Sequence, residues 1–428
     1  MASPHATRKI RYSLLLLMKI LPGALYVGAL RGAALRGHRK ARAMLAVRRQ
    51  QVLPEGPFDL WIHAASLGEY LMSKPLLDLA QQDGLRVLVT SFSTSGAEIA
   101  QRELDTGHSA PKASSAHTLT AHFAFAPLDR PKAVRSFLAR TQPQQVLFMK
   151  YDLWPVMTAE LHRSRIPYSV AFAEVKPRAT RLWVWNPLER PMWAGAAHVF
   201  HQTLESLERW TRAGYTNGHL SGDGRFDQVG KRPAPLGVEA FTDFRPVLVL
   251  GSSWQPEENL LLPLLLRFPE LKVILAPHDV SRTADITARL PVPAIRWSEF
   301  EQHAPTVKGE ARILLVDTVG DLAALYACGD LALVGGAFGP GLHNILEALA
   351  HGLPVVCGPK IEGHWEAIHP EAPVTLLPKN AQPSDLAQWL KERLEKPALL
   401  QTEKVKAQAF IAQHCGASQR VWEILNPS

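Results

Sequence analysis

Cysteine is scarce in this 428-residue sequence, and its three cysteines lie far apart. Cys328, Cys357 and Cys415 include no Cys-x-x-Cys spacing. This pattern argues against a disulfide framework and a zinc site, and it is typical of a protein from a reducing compartment. We expect all three to be buried and to act as small apolar residues.

Acidic residues are missing from the start of the chain. Residues 1–50 contain eleven Lys or Arg and no Asp or Glu, and the first acid is Glu55. A basic segment of this kind can bind nucleic acid or an anionic membrane. No recognised nucleic-acid motif occurs, so we predict no nucleic-acid partner.

An uninterrupted apolar run long enough to cross a bilayer is also missing. Residues 12–30, "YSLLLLMKILPGALYVGAL", come near the required length of about 20 residues, but Lys19 and Pro22 interrupt them. A transmembrane helix and a buried helix stay open, and a signal peptide is weaker because no clear cleavage site follows. We favour a basic, amphipathic membrane anchor over residues 1–50.

The rest of the chain alternates strand and helix patterns. Strands are predicted at 58–66, 85–93, 144–149, 167–175, 198–203 and 219–223, and again at 246–253, 271–278, 311–317, 331–336 and 353–359. Such alternation indicates parallel sheets with helices on both faces. We predict one domain over 51–230, a Pro- and Gly-rich linker over 231–245, and a second domain over 246–428. Residues 105–118 are predicted to be a loop, and about 402–425 a long terminal helix.

Ligands of doubly wound sheets bind beyond the carboxyl ends of the strands, and polar residues follow several strands here. In "VLVLGSSWQPEE", Ser252 and Ser253 form a turn that could cradle a phosphate, or simply cap a helix. Pro277 and His278 follow the next strand, where His278 could contact a phosphate or a base, although a lone His is often structural.

The stretch "GGAFGPGLHNILEALAHGLPVVCGP" (335–359) strengthens the prediction of a nucleotide site. Its glycine-rich loop, which includes Gly336, Ala337 and Phe338, would let backbone approach a ligand closely. Asn344 and the following helix start would donate to an anion, and Glu347, one turn inside, could accept from a ribose diol or merely stabilise the helix dipole. Since no Gly-x4-Gly-Lys-Ser/Thr motif occurs, a nucleotide with few phosphates is indicated.

The first half carries a second set of candidates at strand ends. In "WIHAASLGEY", His63, Ser66 and Glu69 lie at a strand-to-helix junction, where Glu69 could act as a general base or only as a helix-start acid. In "MKYDLWPVM", Lys150, Asp152 and Trp154 could contact an acceptor or anchor a loop.

Five stretches, in this order, resemble the 3-deoxy-D-manno-octulosonic acid (Kdo) transferases: "WIHAASLGEY", "MKYDLWP", "GSSWQPEE", "LAPH" and "GGAFGPGLHNILEALAHGLPVVCGP". The resemblance covers most of the chain. It implies an α/β fold of the GT-B glycosyltransferase type, with two Rossmann-like doubly wound domains facing a central cleft and an N-terminal membrane-associated helix. It also implies lipopolysaccharide biosynthesis at the cytoplasmic face of the inner membrane.

The resemblance further implies an activity and roles for residues. The reaction would be inverting transfer of Kdo from CMP-Kdo to a lipid A precursor (lipid IVA), without a metal or other cofactor. Glu69 matches the catalytic carboxylate of the family. The positions that match the CMP-binding residues are Ser252, Ser253, Pro277, His278, Gly336, Asn344 and Glu347.

The sequence departs from the family pattern in three places. Lys150 stands where many members have an acid, Leu342 replaces one glycine of the pair before His-Asn in "GPGLHN", and "LAPHDVSR" has no Arg between Pro and His. These departures leave an altered acceptor open. Three other interpretations also stay open: a GT-B glycosyltransferase that uses a UDP-sugar, a soluble nucleotide-sugar 2-epimerase, and a catalytically dead binding module.

Overall fold

A computed structural model describes residues 39–93, 99–104, 121–175, 189–230, 232–242, 246–303 and 311–426, together with the single residues 28 and 35. Apart from Gly28, the apolar stretch 12–30 lies outside these residues, and so does the predicted loop 105–118. The chain forms two compact units. One consists of Met1–Gln228 and Cys415–Ser428, and the other of Val229–His414.

The first unit is built on a seven-stranded parallel sheet with the order β3-β2-β1-β4-β5-β6-β7. β1 and β4 are neighbours, and the chain proceeds outwards from them in opposite directions. This is the topological switch point at which doubly wound sheets bind ligands. The strands are β1 Phe58–His63, β2 Val87–Ser91, β3 Ala121–Phe125, β4 Pro143–Met149, β5 Tyr168–Ala173, β6 Val199–His201 and β7 Gly218–Leu220.

Helices cover both faces of this sheet, and alternate side chains of the central strands enter two separate apolar cores. Trp61 and Phe148 point into one core, whereas Ile62 and Leu147 point into the other. Residues 99–104 are helical. The other helices are Arg39–Gln50, Leu67–Gln82, Pro131–Thr141, Pro155–Arg163, Arg190–Ala194, Leu204–Arg212 and Arg225–Gln228, followed at the end of the chain by Ala417–Leu425.

The second unit repeats the same plan. Its seven parallel strands have the order β10-β11-β9-β8-β12-β13-β14, with β8 and β12 at the switch point. The prediction of two doubly wound parallel sheets is therefore confirmed. The strands are β8 Val247–Ser253, β9 Lys272–Pro277, β10 Ala294–Arg296, β11 Ile313–Leu315, β12 Leu331–Val334, β13 Val355–Cys357 and β14 Val374–Leu376.

The helices of the second unit are mostly short. Its α-helices are Glu239–Thr242, Gln255–Leu261, Thr283–Arg289, Trp297–His303, Leu322–Leu325, Leu346–Ala350, Pro383–Glu395 and Pro397–His414. Its 3₁₀ helices are Leu262–Leu266, Val280–Arg282, Tyr326–Cys328 and Trp365–Ile368.

The predicted end of the second domain at residue 428 is wrong. The predicted terminal helix breaks at Gly416, whose φ of 87° is left-handed, and the final helix belongs to the first unit. Asp227 accepts hydrogen bonds from the backbone N–H groups of Gly416 and Ser418, each at 2.6 Å. Trp422 packs in an apolar core of the first unit and donates to Asp83 at 2.8 Å.

Two smaller expectations also need correction. The predicted linker 231–245 contains the helix Glu239–Thr242, and Phe241 is buried with the Lys272 ammonium 4.8 Å from its ring centre. Of the three cysteines, Cys357 is buried, but Cys328 and Cys415 are only half-buried.

The basic segment is partly visible in the structure. Arg39–Gln50 is helical, and it carries no acid in its first turn. Arg48 fixes the helix to the first unit by donating to the carbonyls of Ala126 and Phe92 at 3.0 and 2.8 Å. Within the described part of the chain, no helix combines the length and apolar character needed to cross a membrane.

Candidate functional site

In the first unit, a buried chain of hydrogen bonds ends at the switch point. The indole N–H of Trp61 donates to Thr90 Oγ1 at 2.8 Å. Thr90 Oγ1 lies 2.8 Å from Nδ1 of His63, and His63 Nε2 lies 2.8 Å from Oδ2 of Asp152. His63 is the last residue of β1 and is 0% exposed, whereas the Asp152 side chain is 24% exposed. The chain thus links the core of the sheet to a carboxylate at its surface.

Glu69 lies beside this chain, in the first turn of the helix Leu67–Gln82. Its Oε2 accepts from the Ser66 backbone N–H at 3.1 Å, and its own N–H donates to Ser66 Oγ at 3.4 Å, which forms a capping box. The helix-start role that the sequence left open is therefore present. Burial and the neighbouring charge of Asp152 raise the pKa of Glu69, against opposing contributions from the Ser66 N–H and His63. A raised pKa makes a carboxylate a stronger base.

Asp152 differs from Glu69 in its electrostatics. Burial alone would raise the pKa of Asp152, but hydrogen bonds from His63 and Trp154 and the charge of His63 hold it below the ordinary value. The two neighbouring carboxyl groups thus differ: Asp152 is the more acidic group and Glu69 the more basic one. Environments that separate two carboxyl pKa values are typical of acid–base sites.

Lys150 follows β4 with a left-handed backbone, φ 58°, which is unusual for a non-glycine residue. Burial lowers its pKa, and so does the nearby Arg225. Arg225 is held by the buried Asp223, whose Oδ2 accepts from both Nε and Nη2 of Arg225 at 2.8 and 2.6 Å. Trp154 stacks on Phe92 with ring centres 5.5 Å apart.

Several residues of this region were not predicted from the sequence. They are Thr90, the Asp223–Arg225 pair and Asp129, which accepts from the N–H groups of Val156 and Met157. Burial raises the pKa of Asp129 to about 6. Asp223 ends the "HLSGD" stretch, just beyond β7, so its position after a strand was the one signal available for this pair.

In the second unit, the turn after β8 is built closely against the turn after β12. Ser252 has a left-handed φ of 52°, and a Cβ on Gly335 would lie 2.2 Å from the Ser252 carbonyl oxygen. Ser253 is buried, and its hydroxyl donates to Glu258 at 3.0 Å. Glu258 also pairs with Arg282 and Arg289, so the Ser253 hydroxyl belongs to a structural ion-pair cluster.

The amide of Gly336 is likewise already bonded. It donates to Oε1 of the buried Glu257 at 2.9 Å, while Oε2 accepts from the Trp254 N–H at 3.2 Å. Glu257 thereby joins the two turns at the switch point. Gly336 has a φ of 92°, and its substitution would strain the backbone and bring a side chain against the Gly341 carbonyl.

Three rings stack above these turns. His278 stacks on both Trp254 and His343, with ring centres 4.8 and 4.5 Å away and interplanar angles of 20° and 26°. The Trp254 indole donates to His343 Nε2 at 3.2 Å. Burial, together with His278 and His364, lowers the pKa of His343, which favours the neutral ring that can accept this bond. His278 is exposed, whereas Pro277 before it is buried.

Asn344 and Glu347 lie together, but the helix that follows is shorter than predicted. It begins at Leu346, so Glu347 lies in its first turn and not one turn inside. Asn344 Nδ2 donates to Glu347 Oε1 at 3.2 Å, and Asn344 Oδ1 accepts from the Leu346 N–H at 3.1 Å. Burial raises the pKa of Glu347, with Asn344 and Arg232 acting in the opposite direction.

Ala337 and Phe338 line a groove of about 820 Å³ in the second unit. Lys360, Glu362 and Lys379 supply charged groups to the same groove. Across the described ranges, no three His, Cys, Asp or Glu side chains are grouped so that they could hold a metal ion.

Known proteins resemble this chain in both sequence and fold. Residues 36–228 match the family model described as 3-deoxy-D-manno-octulosonic-acid transferase. The Kdo transferase of Bordetella pertussis is 27% identical over 379 residues, which is 86% of each chain. That of Haemophilus influenzae is 28% identical over 320 residues, 71% of each chain. The solved UDP-GlcNAc 2-epimerase of Neisseria meningitidis has a TM-score of 0.57 at 13% identity, covering 86% of this chain and 99% of that one, and it shows the fold alone.

Two doubly wound units with polar residues at both switch points give the chain a fold of the GT-B type. Within that fold, the chain is similar to the Kdo transferases, which are glycosyltransferases: their family model matches residues 36–228, and relatives of that name are 27–28% identical over most of the chain. The predicted resemblance is thereby confirmed. The roles of single residues stay predictions.

Proposed function

We propose that this enzyme transfers Kdo from CMP-Kdo to lipid IVA, with inversion at the anomeric carbon. The observation that carries the proposal is the Glu69 carboxyl group, which lies at the β1/β4 switch point and has a raised pKa. It belongs to the unit that matches the family model. Relatives named as Kdo transferases, which this chain matches over 71–86% of its length, support the sugar.

In the proposed step, an acceptor hydroxyl oxygen attacks the anomeric carbon of Kdo from the face opposite CMP. Glu69 takes the hydroxyl proton as the new C–O bond forms. The ketosidic C–O bond to CMP breaks, and the phosphate oxygen leaves with the electron pair. Positive charge develops at the anomeric carbon, as in glycoside hydrolysis. Because a phosphate monoester is already a good leaving group, the proposed step requires no metal.

The second unit would bind the donor. Glu347, prearranged by Asn344, offers a carboxylate to the ribose hydroxyls. Among the predicted phosphate contacts, Ser252 is the better candidate, because the hydroxyl of Ser253 and the N–H of Gly336 already have partners within the unit. The exposed ring of His278 at the turn after β9 remains available to a phosphate or the base.

The test is mass spectrometry of the product from purified full-length enzyme and lipid IVA, with CMP-Kdo or a panel of UDP-sugars as donor. We expect a mass increase of one or more Kdo units with CMP-Kdo alone. Transfer from a UDP-sugar, or no transfer from CMP-Kdo under conditions in which a known Kdo transferase is active, would contradict the proposal.

We place the reaction at the cytoplasmic face of the inner membrane, with residues 1–50 as an anchor to anionic lipid. The basic residues before Glu55 support this location. Deletion of residues 1–32 should shift the enzyme towards the soluble fraction, and high salt should partly release the intact form. Intact enzyme that is fully soluble without detergent would contradict the anchor, and resistance to both salt and alkaline extraction would indicate deep insertion.

A further inference from the structure

The hydrogen-bond chain from Trp61 to Asp152 has only one possible direction when His63 is neutral. An indole nitrogen can only donate, so Thr90 Oγ1 accepts from Trp61. An ionised Asp152 can only accept, so the ring proton of a neutral His63 is on Nε2, which donates to Asp152. His63 Nδ1 then accepts the single hydroxyl hydrogen of Thr90. Every member of this chain is satisfied only in this tautomer.

Burial makes this arrangement permanent. Trp61, His63 and Thr90 are each fully buried, so water cannot replace any of their bonds. An unmade hydrogen bond at such a site would cost far more than it would at the surface. Asp152 therefore always has a donor on one oxygen, which favours its ionised form.

The carboxylate at the end of this chain follows β4, and Glu69 follows the neighbouring strand β1, so both lie at the carboxyl edge of the same sheet. Asp152 is the group whose charge opposes ionisation of Glu69, and His63 acts in the other direction. Lys150 lies nearby and is itself surrounded by Glu174 and the Asp223–Arg225 pair. Asp129, which accepts from the N–H groups of Val156 and Met157, also interacts electrostatically with Asp152.

We propose that the Trp61–Thr90–His63 chain of hydrogen bonds holds Asp152 as a charged positioning residue for Glu69. This inference rests on the proposed function, in which Glu69 removes the acceptor proton. Asp152 itself takes no proton from the substrate. Thr90 and His63 act through Asp152, and Asp152 acts through Glu69.

The first test is the pH profile of kcat/KM for Asp152→Asn. Without the negative charge, Glu69 ionises more easily, so the acidic limb should move to lower pH by about one unit. The weaker base should also lower the plateau rate about tenfold. Asp83→Asn is the control. It removes an acidic side chain of the same unit, one that accepts from Trp422 and has no part in the chain from Trp61 to Asp152. It should leave the limb in place.

The second test compares two variants of Thr90. Thr90→Ser keeps the hydroxyl and should keep the wild-type profile. Thr90→Val removes the donor to His63 Nδ1, so the ring can adopt the other tautomer and Asp152 is ionised less of the time. The acidic limb should then move in the same direction as in Asp152→Asn, but by less. If Thr90→Val fails to fold, the Asp152→Asn result decides alone.

A third measurement does not need activity. The enzyme is labelled with ¹³C at the Glu side-chain carboxyl carbons, the Glu69 signal is assigned by its loss in Glu69→Gln, and its titration is followed by NMR. The Glu69 pKa should be lower in folded Asp152→Asn than in wild type. An unchanged pKa would overturn the inference even if Kdo transfer is confirmed. Loss of more than 10³-fold in rate at every pH would also overturn it, because Asp152 would then contact the reacting atoms.

Discussion

The two switch points of this enzyme have the same topology but are constructed differently. Beyond β1 and β4, the side chains are titratable and linked by charge: His63, Glu69, Lys150 and Asp152. Beyond β8 and β12, the turns are held by backbone contacts and by buried acids that already have partners. One is suited to moving a proton, and the other to holding a ligand in a fixed shape.

The difference also appears in how each place uses unusual backbone geometry. Directly after β4 in the first unit, Lys150 has a left-handed backbone, and its ammonium group interacts with charged neighbours. In the second unit, the left-handed residues include Ser252 and Gly336, where the backbone turns tightly. The left-handed backbone after β4 therefore positions the charged side chain of Lys150. The left-handed residues after β8 and β12 instead allow the two turns to pack closely.

The largest expected effect tests the proton-transfer role of the first unit. Glu69→Gln cannot accept a proton, so kcat should fall about 10²–10⁴-fold, and the acidic limb of the pH profile should disappear. Gln suits the same position of a capping box, so the thermal midpoint should stay near that of wild type. Because the donor residues lie in the second unit, CMP affinity measured by calorimetry should not change.

Glu69→Gln separates the two roles that the structure gives to Glu69. A folded variant that keeps more than a tenth of normal turnover would leave Glu69 with the helix-capping role alone. Asp152 would then become the candidate base, and the inference that it acts only through Glu69 would fail with it.

The second prediction tests the binding role of the second unit. Glu347→Ala removes a charged acceptor from the ribose site, and a hydrogen bond to a charged group is worth about 1.5–3 kcal/mol, so CMP affinity should fall roughly 10- to 150-fold. Glu347→Gln can still accept from Asn344, so its CMP affinity should lie between those of wild type and Glu347→Ala. Glu371→Ala, which removes an exposed acid of the same unit, is the control. Unchanged CMP affinity in folded Glu347→Ala would remove Glu347 from the site.

Periodicity and strand-end position were enough to predict much of this molecule from its sequence. The alternation of short apolar runs with helical segments predicted both parallel sheets. Glu69 and Asp152 each follow the end of such a run, and the two runs are the neighbouring strands β1 and β4. β3, β10 and β14 were missed because they are only partly buried, so no uninterrupted apolar run marks them in the sequence. The return of the final helix to the first unit was missed because a break at Gly416 says nothing about which surface the next helix will meet.

Partners of side chains were the least predictable part. Ser253 was expected to face a phosphate, but whether a hydroxyl points to a ligand or to Glu258 depends on tertiary contacts with Arg282 and Arg289. Thr90 shows the converse case. It is a strand residue with no motif around it, and only the pairing of β1 with β2 brings it opposite His63.

The third prediction concerns how tightly the second switch point is built. In Gly335→Ala, the new Cβ would lie 2.2 Å from the Ser252 carbonyl oxygen, so one of the two turns must move. Overpacking of this kind typically costs about 1–3 kcal/mol, and we expect a lower free energy of unfolding together with weaker CMP binding. The matched control is Gly339→Ala in the same loop, where a Cβ would meet no atom within 4 Å. Equal stability of the two variants would show that the close approach of the turns is not required.

The smallest expected effect tests what stabilises the stack of Trp254, His278 and His343. The alternatives are the Trp254–His343 hydrogen bond and the stacking contacts between the rings. Trp254→Phe keeps an aromatic ring against His278 but removes the indole N–H that donates to His343. A neutral hydrogen bond contributes about 0.5–1.5 kcal/mol net, so CMP affinity should fall at most about tenfold. Trp389→Phe is the control, since it removes an indole bond to Thr375 in the same unit without touching the stack. If Trp254→Phe costs as much affinity as Glu347→Ala, the second unit also binds through a directed polar network. The contrast between the two switch points would then be one of charge alone.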